Sequence, residues 1–290
     1  MLKGSIPAII TPFRKGEVDY DDFSKLLNWQ IKNGISGVTV CGTTGESPTL
    51  THDEHMKLIE YAIKIVKRRV PVIAGTGSNS TQEAIEFTKH AFKAGADYGL
   101  AVTPYYNKPN QDGLINHFKI IAKATPLKQI IYNIPGRSIV DLSLDSFKEL
   151  NKISNIVAIK DASNDIFRPL LMRTFMKKDF NYLSGEDGTI AGFLAQGGHG
   201  CITVAGNVAP KLTSELHKSW SQKQWKKFDK INLQLAPLSK VLFQEPNPTP
   251  TKYALSLMGF CTEEVRAPLI ALSAKTKKDI KKVLKVLKNI

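Results

Sequence analysis

A lysine at the end of an apolar run is the residue in this sequence best placed to do chemistry. Lys160 ends the run Ile156–Lys160 and is followed by Asp161. Burial disfavours the ammonium form of lysine, and a neutral amine can attack a carbonyl carbon to form a Schiff base. We expect Lys160 to act in this way. The structural alternative is an ion pair of Lys160 with Asp161 or Glu46.

Hydroxyl groups and glycines follow a second apolar run. The segment Gly42–Ser47 has the sequence GTTGES. Its glycines permit a tight loop with backbone N–H groups near a ligand. The hydroxyls of Thr43 and Thr44 can bind a carboxylate or relay a proton. The alternative is a turn in which threonine and serine only cap the next helix.

Two tyrosine-containing segments follow further runs. In Thr103–Asn107, TPYYN, the paired tyrosines suit packing, a subunit interface or proton transfer. In Tyr132–Arg137, YNIPGR, the first residue ends an apolar run. Arg137 offers a fork that binds both oxygens of a carboxylate. A core tyrosine and a surface salt bridge are the structural alternatives for Tyr132 and Arg137.

Two acidic residues, Glu186 and Asp187, come directly after Gly185. Paired carboxylates can act in general acid–base catalysis. Negative charge is also favourable at the start of a helix. We favour the second interpretation, in which both residues begin the next helix.

Eight short apolar runs alternate with helical patterns along the chain. The runs are mostly non-alternating, which is typical of parallel strands buried on both faces. Eight β-then-α units predict an α/β fold, the (β/α)8 TIM barrel, with catalytic groups at the carboxyl ends of the strands. An open doubly wound sheet is the competing fold, but no GxGxxG follows the first strand. The predicted strands are Ile6–Ile10, Gly37–Cys41, Pro71–Gly75, Tyr98–Val102, Gln129–Asn133, Ile156–Lys160, Phe180–Ser184 and Gly200–Val204.

Apolar spacing and capping residues predict the helices, two of which should end at Gly34 and Gly95. From about Gln224 strand-like runs disappear. We therefore predict a catalytic barrel over 1–223 and a small C-terminal helical domain over 224–290. The segment Glu245–Pro250, EPNPTP, is expected to be a stiff connector. The predicted helices are Asp21–Asn33, a helix that Thr51 caps and that ends at Val66, Thr81–Ala94, Asp112–Ala124, Trp225–Leu242, Thr249–Met258 and Thr276–Ile290.

The composition is that of a globular protein with an excess of lysine. The 290 residues carry a net charge of +14, and 33 of the 40 basic residues are lysine. Sequence-specific nucleic-acid binding relies mainly on arginine, so we predict a solvated basic surface and no nucleic-acid partner. A basic binding protein is the alternative from another functional class.

The lysine-rich last helix has two interpretations. It could bind a membrane surface or a calmodulin-like partner, or it could pack on the protein through its apolar stripe. We predict packing. The chain has no signal-peptide pattern, no apolar run long enough to span a membrane, and three scattered cysteines that suit neither disulfides nor zinc. We therefore expect a cytoplasmic protein with no membrane partner and no metal.

Taken together, four motifs resemble those of the dihydrodipicolinate synthase family, within the pyruvate-dependent class I aldolase and N-acetylneuraminate lyase superfamily. They are GTTGES, TPYYN, YNIPGR and the lysine of IKDA, and the resemblance extends from about Leu2 to the end, EPNP included. It implies a lyase that condenses pyruvate with L-aspartate 4-semialdehyde through a lysine Schiff base. The product would be 4-hydroxy-tetrahydrodipicolinate, in diaminopimelate and L-lysine biosynthesis. No metal and no organic cofactor is implied.

The resemblance also implies residue roles. Lys160 looks like the residue that forms the imine with pyruvate. Thr43, Tyr132 and Tyr106 look like a proton relay, with Tyr106 supplied by the neighbouring subunit. Arg137 looks like the group that binds the carboxylate of the semialdehyde. The pyruvate pocket is implied to contain Thr44, which holds the carboxylate, Gly185 and the backbone of Ile202.

Family members that L-lysine inhibits bind it between subunits. Pro48 stands where the family is expected to have a small residue, which affects the strength of inhibition. Two smaller departures are Gly136, where serine is common, and Asp161, where glutamate is common. The positions that match the L-lysine site are Ser47, His52, His55, Asn79, Glu83 and Tyr105.

A second pyruvate-dependent activity remains open, that of an N-acetylneuraminate or keto-deoxy-sugar lyase. Such an enzyme would share Lys160, Tyr132 and GTTGE, whereas Arg137 and Tyr106 favour the synthase. The expected partners are the two small-molecule substrates and further copies of the chain, as a homodimer or as a homotetramer built from two dimers.

Overall fold

The computed structural model describes residues 2–288. Its strands, in chain order, are β1 (Gly4–Pro7), β2 (Phe13–Arg14), β3 (Glu17–Val18), β4 (Val38–Val40), β5 (Val72–Gly75), β6 (Tyr98–Val102), β7 (Lys128–Asn133), β8 (Ile156–Asp161), β9 (Asn181–Ser184) and β10 (Gly200–Thr203). β2 and β3 form a small antiparallel hairpin that the sequence patterns did not predict. The other eight strands form one sheet in the order β1-β10-β9-β8-β7-β6-β5-β4.

The sheet closes on itself. A parallel bridge joins Ala8, just after β1, to Thr39 of β4. The first and last strands of the sheet order are thereby neighbours, and the fold is the predicted (β/α)8 barrel with additional C-terminal helices.

Twelve helices lie in the part of the chain that the structure describes. They are α1 (Tyr20–Lys32), α2 (His52–Val66), α3 (Thr81–Ala94), α4 (Gln111–Ala124), α5 (Pro135–Ser138), α6 (Leu144–Leu150), α7 (Arg168–Met172), α8 (Ile190–Ala195), α9 (Pro210–Ser221), α10 (Trp225–Val241), α11 (Thr249–Leu257) and α12 (Ala274–Lys288). The last two residues of the predicted helix Thr276–Ile290 lie outside the described residues. None of the helices among residues 2–288 is both long and apolar enough to span a membrane.

Local capping chemistry defines the helix ends that were predicted from sequence. The Thr51 side chain accepts from the backbone N–H of Glu54, whose carboxylate accepts from the backbone N–H of Thr51 at 2.9 Å. Gly95 ends α3 with a φ of +93°, a conformation that glycine adopts without steric cost.

By its internal contacts the chain divides into two compact units. One contains Pro71–Ile202 and the N-terminal residues up to Lys3, and the other contains Gly4–Val70 and the chain from Thr203 onward. The predicted division between residues 223 and 224 is a different partition of the chain and stays a prediction.

Each unit has its own buried core. In the first, Phe118, Phe147 and Phe180 pack together with Ile159 of β8. In the second, α12 packs on α10 and α11. Its Ile280 and Leu284 are buried, as expected for an amphipathic helix with a solvated lysine face.

Candidate active site

Lys160 lies at the carboxyl end of β8, buried against an aromatic ring. Its side chain is 6% exposed. The parallel register pairs it with Tyr132 on β7, and its Nζ lies 3.8 Å from the centroid of that ring. An amine held in this way is largely shielded from water and has a phenol beside it. This is the arrangement that Schiff-base chemistry with nearby proton transfer requires.

Gly185, one residue beyond β9, leaves the space that the lysine side chain occupies. A Cβ atom at this position would lie 2.8 Å from Cβ of Ala162 and 3.1 Å from Cε of Lys160. The backbone N–H of Gly185 donates to the carbonyl of Asp161 at 2.7 Å, and this bond holds the two backbone segments close together. A side chain at this position would displace Ala162 and press on the side chain of Lys160.

The two carboxylates considered as ion-pair partners of Lys160 have other cations beside them. Glu46 forms a buried ion pair with Lys252. Asp161 has Arg168 beside it, with 3.7 Å between Oδ2 and Nε. Burial raises the pKa of Asp161. These contacts favour the catalytic interpretation of Lys160 over the structural one.

The interpretation of Glu186 and Asp187 as helix-starting charges is wrong. The following helix, α8, begins at Ile190, and its first turn contains no acidic residue. Burial, with a further contribution from Asp187, raises the pKa of Glu186 against the opposing charges of Lys160 and Arg137. Glu186 therefore belongs to the electrostatic surroundings of the lysine.

The loop after β7 presents Arg137 on the short helix α5, with its side chain exposed. The next residue fixes the loop. The Ser138 hydroxyl shares its one hydrogen between the carbonyls of Ile134 and Val140, at 2.9 and 3.0 Å. It accepts from the Thr103 hydroxyl at 3.0 Å. A Cβ atom at Gly136 would have no neighbouring atom within 4 Å. The space around this position would therefore admit the serine that is common in the family.

Ile202, the last predicted pocket residue in this unit, lies in β10 and is 1% exposed. Its neighbour Cys201 pairs with Ser184 of β9. Ile202 is therefore level with Gly185 at the carboxyl end of the strand pair. The register brings the backbones of these two predicted pocket residues together.

The loop after β4, in the other unit, contains Thr43 and Thr44. It forms a 3₁₀ turn over Thr43–Gly45, in which Thr44 is only 2% exposed. The Thr11 hydroxyl donates to the carbonyl of Gly45 at 2.7 Å and holds the turn in place. The alternative of a helix-capping role does not hold, because Thr51 caps α2. The loop thus presents two adjacent hydroxyls at the carboxyl end of a barrel strand.

The paired tyrosines after β6 have different surroundings. Tyr105 is half-buried, and burial together with Glu83 raises its pKa. Tyr106 is 95% exposed and has a left-handed backbone with a φ of +72°. An aromatic side chain held out from a strained turn is suited to contact another molecule.

The residues matched to the L-lysine site fall in both units. In the first unit, Asn79 donates from Nδ2 to the carbonyl of Tyr105 at 3.2 Å, and Glu83 lies near the same tyrosine. In the second unit, His55 is buried on α2 while His52 is exposed at the start of that helix. Ser47 begins a 3₁₀ turn that contains the exposed Pro48.

One polar contact at the site was not predicted. The sequence pattern predicts a connector over EPNPTP, yet Asn247 in this segment is 5% exposed and donates from Nδ2 to Thr44 Oγ1 at 2.9 Å. An asparagine among three prolines is the only local signal for this contact. Within residues 2–288, no group of three or more histidine, cysteine or acidic side chains is arranged to hold a metal ion.

Comparisons with known proteins agree with this geometry. The sequence model of the dihydrodipicolinate synthetase family matches residues 1–287. A 4-hydroxy-tetrahydrodipicolinate synthase of Bradyrhizobium diazoefficiens is 51% identical over 276 residues, which are 95% of this chain and 93% of that protein.

Solved structures give the same result. Dihydrodipicolinate synthase from Aquifex aeolicus has a TM-score of 0.97 at 43% identity, covering 99% of this chain and 98% of that chain. The chloride-inhibited dihydrodipicolinate synthase from Acinetobacter baumannii, solved with pyruvate, has a TM-score of 0.96 at 42% identity and covers 100% of both chains. The resemblance predicted from the motifs is confirmed, and the chain belongs to the dihydrodipicolinate synthetase family.

Proposed function

We propose that the protein catalyses the condensation of pyruvate with L-aspartate 4-semialdehyde to 4-hydroxy-tetrahydrodipicolinate, a step of diaminopimelate and L-lysine biosynthesis. The observation that carries the proposal is the buried Lys160 amine against the Tyr132 ring. It occurs in a chain that shares half of its residues with 4-hydroxy-tetrahydrodipicolinate synthases over nearly its whole length.

The reaction begins at the lysine. The Lys160 amine attacks the keto carbon of pyruvate, and loss of water gives an imine. The protonated imine withdraws electrons more strongly than the ketone, so the methyl group loses a proton and a neutral enamine forms. The enamine carbon then attacks the aldehyde carbon of the second substrate, which regenerates the imine. The amino group of that substrate attacks the imine carbon, closes the ring and releases the Lys160 amine. Thr43, Tyr132 and Tyr106 are proposed to move the protons of these steps.

Substrate carboxylates are proposed to be bound at two places. Thr44 holds the carboxylate of pyruvate, and Gly185 and the backbone of Ile202 line the same pocket. The exposed fork of Arg137 binds the carboxylate of the semialdehyde. The tight space at Gly185 and the rigid loop that carries Arg137 support this assignment.

Tyr106 is proposed to act in the site of a second copy of the chain. Its 95% exposure supports this role, because a phenol directed into solvent cannot serve a buried amine of its own chain by direct contact. The assembly would be a dimer, or a tetramer built from two such dimers.

L-Lysine is proposed to regulate the enzyme by binding at Ser47, His52, His55, Asn79, Glu83 and Tyr105. The cluster of Asn79, Glu83 and Tyr105 in one unit supports half of this set. The three cysteines are free and buried, which suits a reducing compartment, and we place the protein in the cytoplasm.

Borohydride trapping tests the proposed chemistry. The protein is incubated with pyruvate and reduced, and the mass of the intact chain and of its peptides is measured. We expect one reduced pyruvyl adduct, on Lys160, and none in Lys160→Arg. An adduct on a different lysine, or none in the wild type, would overturn the proposal.

The second substrate separates the synthase from a sugar-acid lyase. The adduct-forming protein is assayed with L-aspartate 4-semialdehyde and, separately, with N-acetylneuraminate and keto-deoxy-sugar acids. Turnover of the semialdehyde alone is expected. Turnover of the sugar acids alone would make the other aldolase activity the correct one.

A further inference from the structure

We propose that Asn247 is a positioning residue that orients the Thr44 hydroxyl toward the carboxylate of pyruvate. The inference rests on the proposed function, in which Thr44 binds that carboxylate. The Asn247 amide donates from Nδ2 to Thr44 Oγ1 at 2.9 Å, across 203 positions of sequence. Both side chains are buried, at 5% and 2% exposure, so water does not compete for this hydrogen bond.

The direction of this hydrogen bond determines what Thr44 can do. A hydroxyl has one hydrogen to donate and two lone pairs that accept. Because Asn247 fills one lone pair of Thr44, the hydroxyl hydrogen must point elsewhere and is available to a carboxylate. The Thr251 hydroxyl donates to Oδ1 of Asn247 at 3.1 Å, which holds the amide with its nitrogen toward Thr44.

The loop that contains Thr44 is itself fixed by the same part of the chain. Lys252, four residues into α11, forms a buried ion pair with Glu46 of the loop. The backbone N–H of Arg266 donates to the other carboxylate oxygen of Glu46 at 3.0 Å. With the backbone held in this way, loss of the asparagine amide changes the hydroxyl direction rather than the loop.

A matched control lies two residues before Asn247. Glu245 accepts from the backbone N–H and the hydroxyl of Ser273, at 3.1 and 2.7 Å, and so ties the same segment to the start of α12. Its carboxylate has these contacts with α12 and none of the contacts with the Thr44 loop described above. Glu245→Ala therefore loosens the segment without removing the amide.

The experiment measures borohydride trapping and steady-state rates over a range of pyruvate concentrations. In Asn247→Ala we expect the half-saturating pyruvate concentration to rise about tenfold, because the Thr44 hydroxyl loses the orientation that its hydrogen bond to the charged carboxylate needs. The KM for the semialdehyde should stay within about twofold. Glu245→Ala should lower the melting temperature and leave pyruvate saturation unchanged.

Asn247→Asp and a double-mutant cycle separate orientation from structure. The aspartate has the same shape but accepts from Thr44, so it draws the hydroxyl hydrogen away and should weaken pyruvate binding more than alanine does. In a Thr44→Val background, Asn247→Ala should add almost nothing to the pyruvate effect, because its target is gone.

Two results would overturn the inference: unchanged pyruvate saturation in both Asn247 variants, or an undiminished effect of Asn247→Ala in the Thr44→Val background. Failure of the proposed function is recognised separately, since the wild type would then form no adduct on Lys160.

Discussion

At the residue scale, the surroundings of Lys160 are defined by shape as well as by charge. The amine has an aromatic ring at 3.8 Å on one side. On another side it has Gly185, whose lack of a side chain leaves room for the Cε atom of the lysine. The sequence predicted Lys160 and Tyr132 by their positions at the ends of apolar runs, and the family resemblance implied Gly185. It assigned Glu186 to a helix, because a pair of acidic residues before a helical pattern looks the same whether it caps a helix or faces a cation.

Gly185→Ala tests the need for empty space beside the lysine. The added methyl would lie 2.8 Å from Cβ of Ala162 and 3.1 Å from Cε of Lys160, so it displaces Ala162 and presses on the lysine side chain. A misplacement of about 1 Å can cost about 100-fold in rate, and we expect imine formation with pyruvate to slow by at least about tenfold. The rate of imine formation is measured by adding borohydride at timed intervals after mixing with pyruvate and determining the fraction of the chain that carries the adduct.

Gly188→Ala is the matched control for this substitution. It lies three residues further along the same loop, where an added Cβ meets nothing within 4 Å. It should trap pyruvate at the wild-type rate. Equal rates in the Gly185 and Gly188 variants would show that space at Gly185 has no part in placing the amine.

At the element scale, the helices and strands were predictable where local chemistry defines their ends. β6 and α3 have the predicted bounds, Tyr98–Val102 and Thr81–Ala94. The first strand was predicted at Ile6–Ile10 but runs from Gly4 to Pro7. Ile9 and Ile10 are buried although they lie beyond the strand. Apolar runs report burial, and burial continues past the end of regular strand pairing.

Buried histidines on two helices should make the stability sensitive to acid. His117 on α4 bonds through Nδ1 to the Thr81 hydroxyl at the start of α3. Burial lowers its pKa from 6.5 to about 4, and burial does the same for His217 on α9. The unfolded chain binds more protons than the folded one between these values. The contribution of these two neutral histidines to the free energy of unfolding is therefore fully present above pH 6.5. It is lost as the pH falls toward 4.

Each of these histidines should cost about 2 kcal/mol of unfolding free energy at about pH 5 relative to about pH 8. Urea denaturation at both pH values measures the loss. In His117→Gln the loss should shrink by roughly that amount, and the effect of His217→Gln should add to it because the two lie in different compact units. The same acid-induced loss in both variants and in the wild type would contradict this account.

At the scale of the whole molecule, the contacts that the sequence did not predict are those between distant parts of the chain. Thr44 meets Asn247 across 203 positions, and Glu46 meets Lys252 in the same region. No periodicity or capping rule relates such residues, since only the folded chain brings them together. The net charge of +14, by contrast, follows from composition alone. The lysines of α12 lie around a buried stripe formed by Ile280 and Leu284.

The exposed Tyr106 leads to a prediction for the assembled enzyme. If each site takes Lys160 from one chain and Tyr106 from its partner, Lys160→Arg and Tyr106→Phe should each be nearly inactive alone. A hybrid dimer of the two variants contains one site with both native residues. Refolding an equal mixture should therefore restore activity to about a quarter of the wild-type sites, because half of the dimers are hybrids.

The controls follow from the same symmetry. A mixture of Lys160→Arg with a Lys160→Arg, Tyr106→Phe double variant contains no complete site and should stay inactive. In the active mixture, borohydride should trap pyruvate only on the chain that keeps Lys160. That chain is recognised because it differs in mass from its partner. Activity that does not rise on mixing would mean that Tyr106 serves its own chain. The 95% exposure of its ring would then have to be removed by a movement of the loop within a single subunit.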